Sequence, residues 1–184
     1  MKKTAIIILS LTVVAAFSGC IKDADKSNPL FLGADKVKES VKGWRVYTNP
    51  AFLYELRHPT SWRMETSGED GKLVQFFVSK QSAAKALVIQ GIPNWQKKLS
   101  LEQYYTTQED DLFKAGYERG EVSVAGETAI WFKAVKRGDL PINVVALANE
   151  ERILIFELWT DWEQSLVVLN SVKFYPNKAF DEVK

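Results

Sequence analysis

The chain of 184 residues holds one cysteine, Cys20, and one histidine, His58. These are the two side chains best suited to nucleophilic, general-base or soft-metal chemistry. Each stands alone, and no second histidine exists to complete a zinc site. His58 sits in "YELRHP", on the apolar face of an alternating run and beside Pro59. A packed or edge histidine bonded to backbone therefore outweighs a catalytic base. No strand-to-helix GxSxG elbow appears, and whether a Ser or an Asp shares a cleft with His58 depends on the fold. Two acidic clusters, "GED" at 68–70 and "QEDD" at 108–111, offer oxygen ligands to a hard cation. The EF-hand spacing is absent, and neighbouring carboxylates on a helix fan around its axis, so a solvated face is expected. No metal or other cofactor is expected.

Six tryptophans form the other reservoir of chemistry. They either fill a core or stack on a partner. Pro93, Asn94 and Trp95 interrupt a strand pattern and are followed by Lys97 and Lys98. A tryptophan in such a polar loop is available for contact, or it folds back over the core; the sequence weighs the two evenly. Trp159 and Trp162 flank a helix start, where backbone N–H groups could receive an anion; covering the sheet edge is the stronger reading. Trp95, Trp159, Trp162 and His58 are thus the candidate binding residues.

Strands and two helices must position these residues. Trp44 and Val46, then Phe52, Tyr54, Leu56 and His58, alternate with polar residues. That predicts two strands joined by the "TNP" turn, with Pro59 ending the second. "SGEDGK" is a turn, and "LVQFFVSK" and "KALVIQGIP" are two further strands. Ser100 with Gln103 forms a capping-box pattern. It opens a helix carrying Leu101, Tyr104, Tyr105, Leu112 and Phe113 on one face and stopping at Gly116. "GEVSVAGETAIWFKAVKRG" predicts a hairpin turning at Gly126. "PINVVALANEERILIFELW" predicts a second, turning near Asn149 and Glu150, with runs apolar enough to lie at the sheet's centre. Thr160 and Glu163 cap a closing helix with Trp162, Leu166, Leu169 and Val172 as its stripe and Pro176 after its end. The expectation is α+β: a mainly antiparallel twisted sheet of about seven or eight strands, flanked by helices as an α/β/α sandwich.

Lys2 and Lys3, the apolar run Ala5–Phe17, and the small pair Ser18 and Gly19 have the order of a secretory signal peptide. The run is short for a transmembrane span. "FSGC" resembles the lipobox of bacterial lipoproteins, with Phe17 in place of the usual Leu. That resemblance implies cleavage before Cys20, diacylglycerol on its thiol, and a mature chain that can form no disulfide. Two or more acyl chains anchor stably where one does not. Ile21 after the cysteine, by analogy with bacterial lipoproteins, implies the outer membrane facing the periplasm in a Gram-negative cell. Otherwise the implied place is the outer face of the cell membrane. Residues 21–43 are rich in charge, Ser, Asn, Pro and Gly and read as a tether; Val37 and Val41 give only a weak helical signal. The chain divides into a signal peptide (1–19), a lipidated tether (20–43), one domain (44–178) and a short tail (179–184). Basic and acidic residues number 24 and 23, so nothing in the charge points to nucleic acid.

The order of elements in 44–176 resembles the PsbP-like proteins, which include the extrinsic PsbP subunit of photosystem II and many bacterial lipoproteins. The resemblance rests on "YTNPAFLYELRHPTSW", with Pro59 and Trp62. It rests also on a mid-chain helix, the "VAGETA" hairpin with Gly126, and "LNSVKF" with Val172 and Phe174. It implies an antiparallel sheet sandwiched by helices and no catalytic residues. The family often has Tyr where this chain has His58. The function expected from tether and resemblance together is that of a non-enzymatic, membrane-tethered accessory module. Such a module docks a protein partner in the envelope, without nucleic acid. The alternative is a small-ligand carrier or sensor with an aromatic pocket between sheet and helix.

Overall fold

The structure is a computed structural model that describes residues 38–159 and 162–175. Cys20, the signal and lipobox segment, Thr160 of the closing cap and Pro176 lie outside the described residues, as do the side chains of Trp162 and Glu163. Of the tether, the first described residues, 38–40, are helical, and Val41 is buried.

The opening alternation forms a hairpin. β1 (Arg45–Asn49) runs antiparallel to β2 (Tyr54–His58), with Arg45 opposite His58 and Asn49 opposite Tyr54. The Asn49 carboxamide oxygen accepts the Phe52 N–H at 3.1 Å and closes the turn. Tyr54, Leu56 and His58 are buried while Glu55 and Arg57 are half-buried, and Pro59, with no N–H to give, follows the strand's end. β10 (Lys173–Phe174) pairs on the other side of β2, completing a small sheet ordered β1-β2-β10.

The large sheet contains β3 (Arg63–Ser67), β4 (Leu73–Phe77), β5 (Lys85–Pro93), β6 (Arg119–Val124), β7 (Glu127–Arg137), β8 (Leu140–Ala148) and β9 (Arg152–Leu158). Its order is β3-β4-β5-β9-β8-β7-β6, antiparallel throughout. β9 lies at the centre and is buried along almost its whole length, as its continuous apolar run requires. The β6–β7 turn places Ala125 at φ 52° and Gly126 at φ 88°. This is the doubly left-handed geometry of a two-residue hairpin, and it explains the glycine.

Each face of this sheet has its own core. One face packs against the small sheet and α2 (Trp162–Asn170), through Tyr54, Leu56, Phe76, Ile89, Phe156 and Leu166. Gly91 permits the close approach of the layers: a β-carbon there would lie 2.8 Å from the Phe52 ring. The other face packs against α1 (Leu101–Tyr105) and the segment after it, through Tyr105, Leu112, Phe132, Val144 and Ile155.

Two expectations are corrected. The mid-chain helix ends at Tyr105 instead of running to Gly116. Ser100 and Gln103 do form the capping box, at 2.9 and 3.2 Å. Thr106 and Thr107 then turn their hydroxyls back onto the carbonyls of Gln103 and Tyr104, each at 2.7 Å, which competes with continuation of the helix. Asp111 starts a separate turn by accepting the Phe113 N–H at 3.0 Å, and Leu112 and Phe113 still reach the core. The second correction concerns the layers. The described residues form ten strands in two sheets, and a three-stranded sheet supplies part of the cover expected from helices. β3 was invisible in the sequence because "RMETS" is an exposed edge strand without apolar alternation. Among the described residues no helix is long and apolar enough to cross a membrane.

Candidate functional site

Two clefts lie near opposite ends of the large sheet. The antiparallel register sets this arrangement: Arg63 pairs Phe77 and Phe77 pairs Lys85 at one end of β5, while Pro93 leads into Asn94 and Trp95 at the other.

The first cleft, of about 510 Å³, opens between β1 and β3, the edge strands of the two sheets. Arg45, Val46, Tyr47, His58, Trp62, Arg63, Met64 and Lys80 line it. His58 is 5% exposed, with its ring 4.9 Å from that of Phe76. Its Nδ1 lies 3.0 Å from the Pro59 carbonyl oxygen. A carbonyl can only accept, so Nδ1 carries the proton. Burial pushes the imidazole's pKa below its ordinary value and Arg45 adds to this, while the Pro59 carbonyl pulls the other way. His58 is thus a neutral, backbone-bonded core histidine. None of the lining residues is a Ser, Thr, Asp or Glu, so this cleft does not join His58 to a Ser-His-Asp set. Arg63 stacks its guanidinium 4.0 Å from the Phe77 ring and pairs with Glu65. Among the described residues Arg45 and Lys80 form no ion pair. Val46 and Met64 remain 48% and 39% exposed at the mouth. Val46 points outward because β1 turns Arg45 and Tyr47 to the side that His58 and Leu56 share.

The second cleft, of about 360 Å³, lies between the ends of β5 and β9 and α1, with Pro93, Trp95, Leu99, Tyr104 and Ile153 among its walls. Trp95 is 62% exposed, but its loop is fixed. The buried Asn94 carboxamide donates to the carbonyls of Leu99 at 2.9 Å and Asn149 at 2.7 Å. It also accepts the Leu99 N–H at 2.8 Å. Asn149 in turn accepts the N–H groups of Glu151 and Arg152 and donates to Glu127 at 2.8 Å. The buried Arg152 bonds the same carboxylate at 2.9 Å and lies 4.6 Å from the centre of the Phe174 ring. The sequence marked Asn94 and Asn149 only as loop and turn residues; the bonds that Asn94 gives to Asn149 and Asn149 to Glu127, and the Arg152–Glu127 pair behind Trp95, emerge only from the fold.

His58, Trp95 and Trp159 are not brought into one site, and the Trp162 side chain lies outside the described residues. His58 and Trp95 fall in separate clefts. Trp159 is half-buried, donates its indole N–H to Glu157 at 3.0 Å and carries Lys85 over its ring at 4.7 Å. The acidic clusters do not converge either. Asp110 pairs with Arg137, which also holds Glu157 at 2.8 Å, while Asp111 caps its turn. No group of three or more metal-ligating side chains occurs among the described residues. Arg45, Arg63 and Lys80 went unnoticed because they come from three separate segments and no short motif links them.

No protein-family model matches the chain, and no curated protein matches it. The solution structure of cyanobacterial PsbP (CyanoP) from Synechocystis sp. PCC 6803 does align. It covers 71% of this chain and 92% of that one at 16% identity, with a TM-score of 0.50. The fold is PsbP-like. A crystal structure from Bacteroides thetaiotaomicron at 1.50 Å aligns over 72% of this chain and 49% of that one, at 10% identity and a TM-score of 0.48. In this PsbP-like domain the residues that carried the resemblance hold the frame. Trp62 donates its N–H to the Pro59 carbonyl at 3.1 Å and buries its ring. Gly126 makes the hairpin turn, and Val172 and Phe174 join the core between the sheets.

Proposed function

We propose that the chain is an exported, lipid-anchored accessory module of the cell envelope, held through acylated Cys20, that docks a protein partner and catalyses no reaction. The observation that carries the docking is Trp95. A large ring left 62% exposed on a loop fixed by buried hydrogen bonds is a preorganised anchor, of the kind that dominates protein interfaces. The N-terminal sequence supports the tether, and the PsbP-like fold is compatible with an accessory role without specifying the partner. Crosslinking in membranes of the native cell tests it. The wild type is expected to capture a discrete species that Trp95→Ala does not. Identical capture by both would remove Trp95 from the account, and no specific species from either would remove the partner.

A second reading, a small-ligand carrier, is favoured by the same cleft, because Trp95 and Tyr104 face a space of ligand size between the sheet's end and α1. Native mass spectrometry of protein from its own cells distinguishes the two. A co-purifying small molecule that Trp95→Ala fails to retain supports the carrier, and an empty protein argues against it.

A further inference from the structure

We propose that the basic cleft between β1 and β3 is a docking site for the anionic phosphate headgroups of the bilayer to which the chain is tethered. The inference rests on the proposed Cys20 tether and assigns the tethered domain an orientation.

Three observations carry it. First, charge is concentrated here in a chain of net charge +1. Arg45, Arg63 and Lys80 line the cleft and no carboxylate does; Arg63 is held by Glu65 and the Phe77 ring, whereas Arg45 and Lys80 form no ion pair among the described residues. Elsewhere Lys98 pairs with Glu150, Lys72 with Glu69 and Arg152 with Glu127, while Lys85 and Arg119 at the starts of β5 and β6 lie over the Trp159 and Phe113 rings. Second, the mouth combines these cations with the exposed side chains of Val46 and Met64. Cations beside exposed apolar groups suit a bilayer interface, where headgroups meet the charge and the acyl boundary meets the apolar atoms. Third, the chain enters the domain at this cleft. Arg45 begins β1 directly opposite His58. Residues 21–37 between the lipidated cysteine and the first described residue span at most about 60 Å even when fully extended. Such a tether holds the cleft at high effective concentration near its own membrane, where a weak headgroup contact suffices. Trp95 follows the other end of β5, about 27 Å of strand away, so a cleft seated on the bilayer leaves it facing water.

The test uses the exported chain, residues 20–184, with Cys20→Ser so that no acyl chain contributes. Co-sedimentation is measured with phosphatidylcholine vesicles, with and without phosphatidylglycerol. Binding is expected only with the anionic lipid, falling steeply with salt. Arg45→Glu/Lys80→Glu is expected to weaken it by about tenfold or more, since each reversed charge acts within the leaflet's surface potential, while Trp95→Ala leaves it unchanged. Both are surface changes, and an unaltered melting transition verifies the fold. Equal binding to both vesicle types, or wild-type binding by the charge-reversed chain, would overturn the proposal. Binding to a soluble polyglutamate peptide with none to vesicles would overturn it as well and give the cleft to an acidic protein. Because this chain cannot be acylated, a negative result leaves the Cys20 tether standing; a failed tether shows instead in the mass of the native protein.

Discussion

At the Pro93 end of β5, polar groups close on one another: Asn94 spends its carboxamide on Leu99 and Asn149, and Arg152 and Asn149 share the carboxylate of Glu127. At the Lys85 end, Arg45 and Lys80 have no carboxylate partner among the described residues and line a cleft with an apolar mouth. The first arrangement converts hydrogen bonds into rigidity and presents one uncharged ring. The second leaves charge available to something outside the molecule. The Pro93 end thus couples stability to one rigid aromatic contact, while the Lys85 end holds charge that the fold does not use, and mutations at the two ends should differ in that way.

The largest effect is expected from Glu127→Ala. It removes the hydrogen-bonded partner of the Arg152 guanidinium, whose side chain is only 4% exposed, leaves Glu151, at 3.6 Å, as its ion pair, and should cost about 3 kcal/mol in urea denaturation. Asn94→Ala removes three side-chain hydrogen bonds at a buried position and should cost about 2 kcal/mol. It should also abolish partner capture although Trp95 remains, because the anchor loses its support. Lys80→Ala at the open end should change stability by less than about 0.5 kcal/mol. If Lys80→Ala costs as much as Glu127→Ala, the contrast between the ends is wrong.

A smaller effect is expected from pH, at His58. Burial, with Arg45 adding, holds its folded pKa below the ordinary 6.5, so the unfolded chain binds the proton more readily. The stability it contributes is fully present above about pH 6.5. It is lost as pH falls through the lower folded pKa. The unfolding free energy of the wild type should therefore contain a decline between neutral and mildly acidic pH that His58→Gln lacks. An identical pH profile for both chains would mean that His58 titrates as it does in the unfolded chain.

Much of the frame was legible because its signals are local. The alternation of Tyr54, Leu56 and His58, the Gly126 turn and the apolar runs of β8 and β9 each report a neighbour's position within a few residues. What failed was set by competition for backbone groups, local at the helix end and non-local at β3. Thr106 and Thr107 satisfied carbonyls that a longer helix needed, and β3 exists only because β4 offers an edge to pair with. The site was legible only in part for the same reason. Trp95 announced itself by its polar neighbours, and the single histidine by its rarity. Nothing in one dimension links Arg45, Arg63 and Lys80, or Asn94 to Asn149, because folding alone brings those segments together.

The division of labour between the two ends presupposes a chain anchored by its N-terminus. Intact-mass analysis of the protein extracted in detergent from native membranes tests this directly. The account predicts a chain beginning at Cys20 and heavier than its residues by a glycerolipid and its acyl groups. A chain that retains residues 1–19 and carries an unmodified thiol would contradict it.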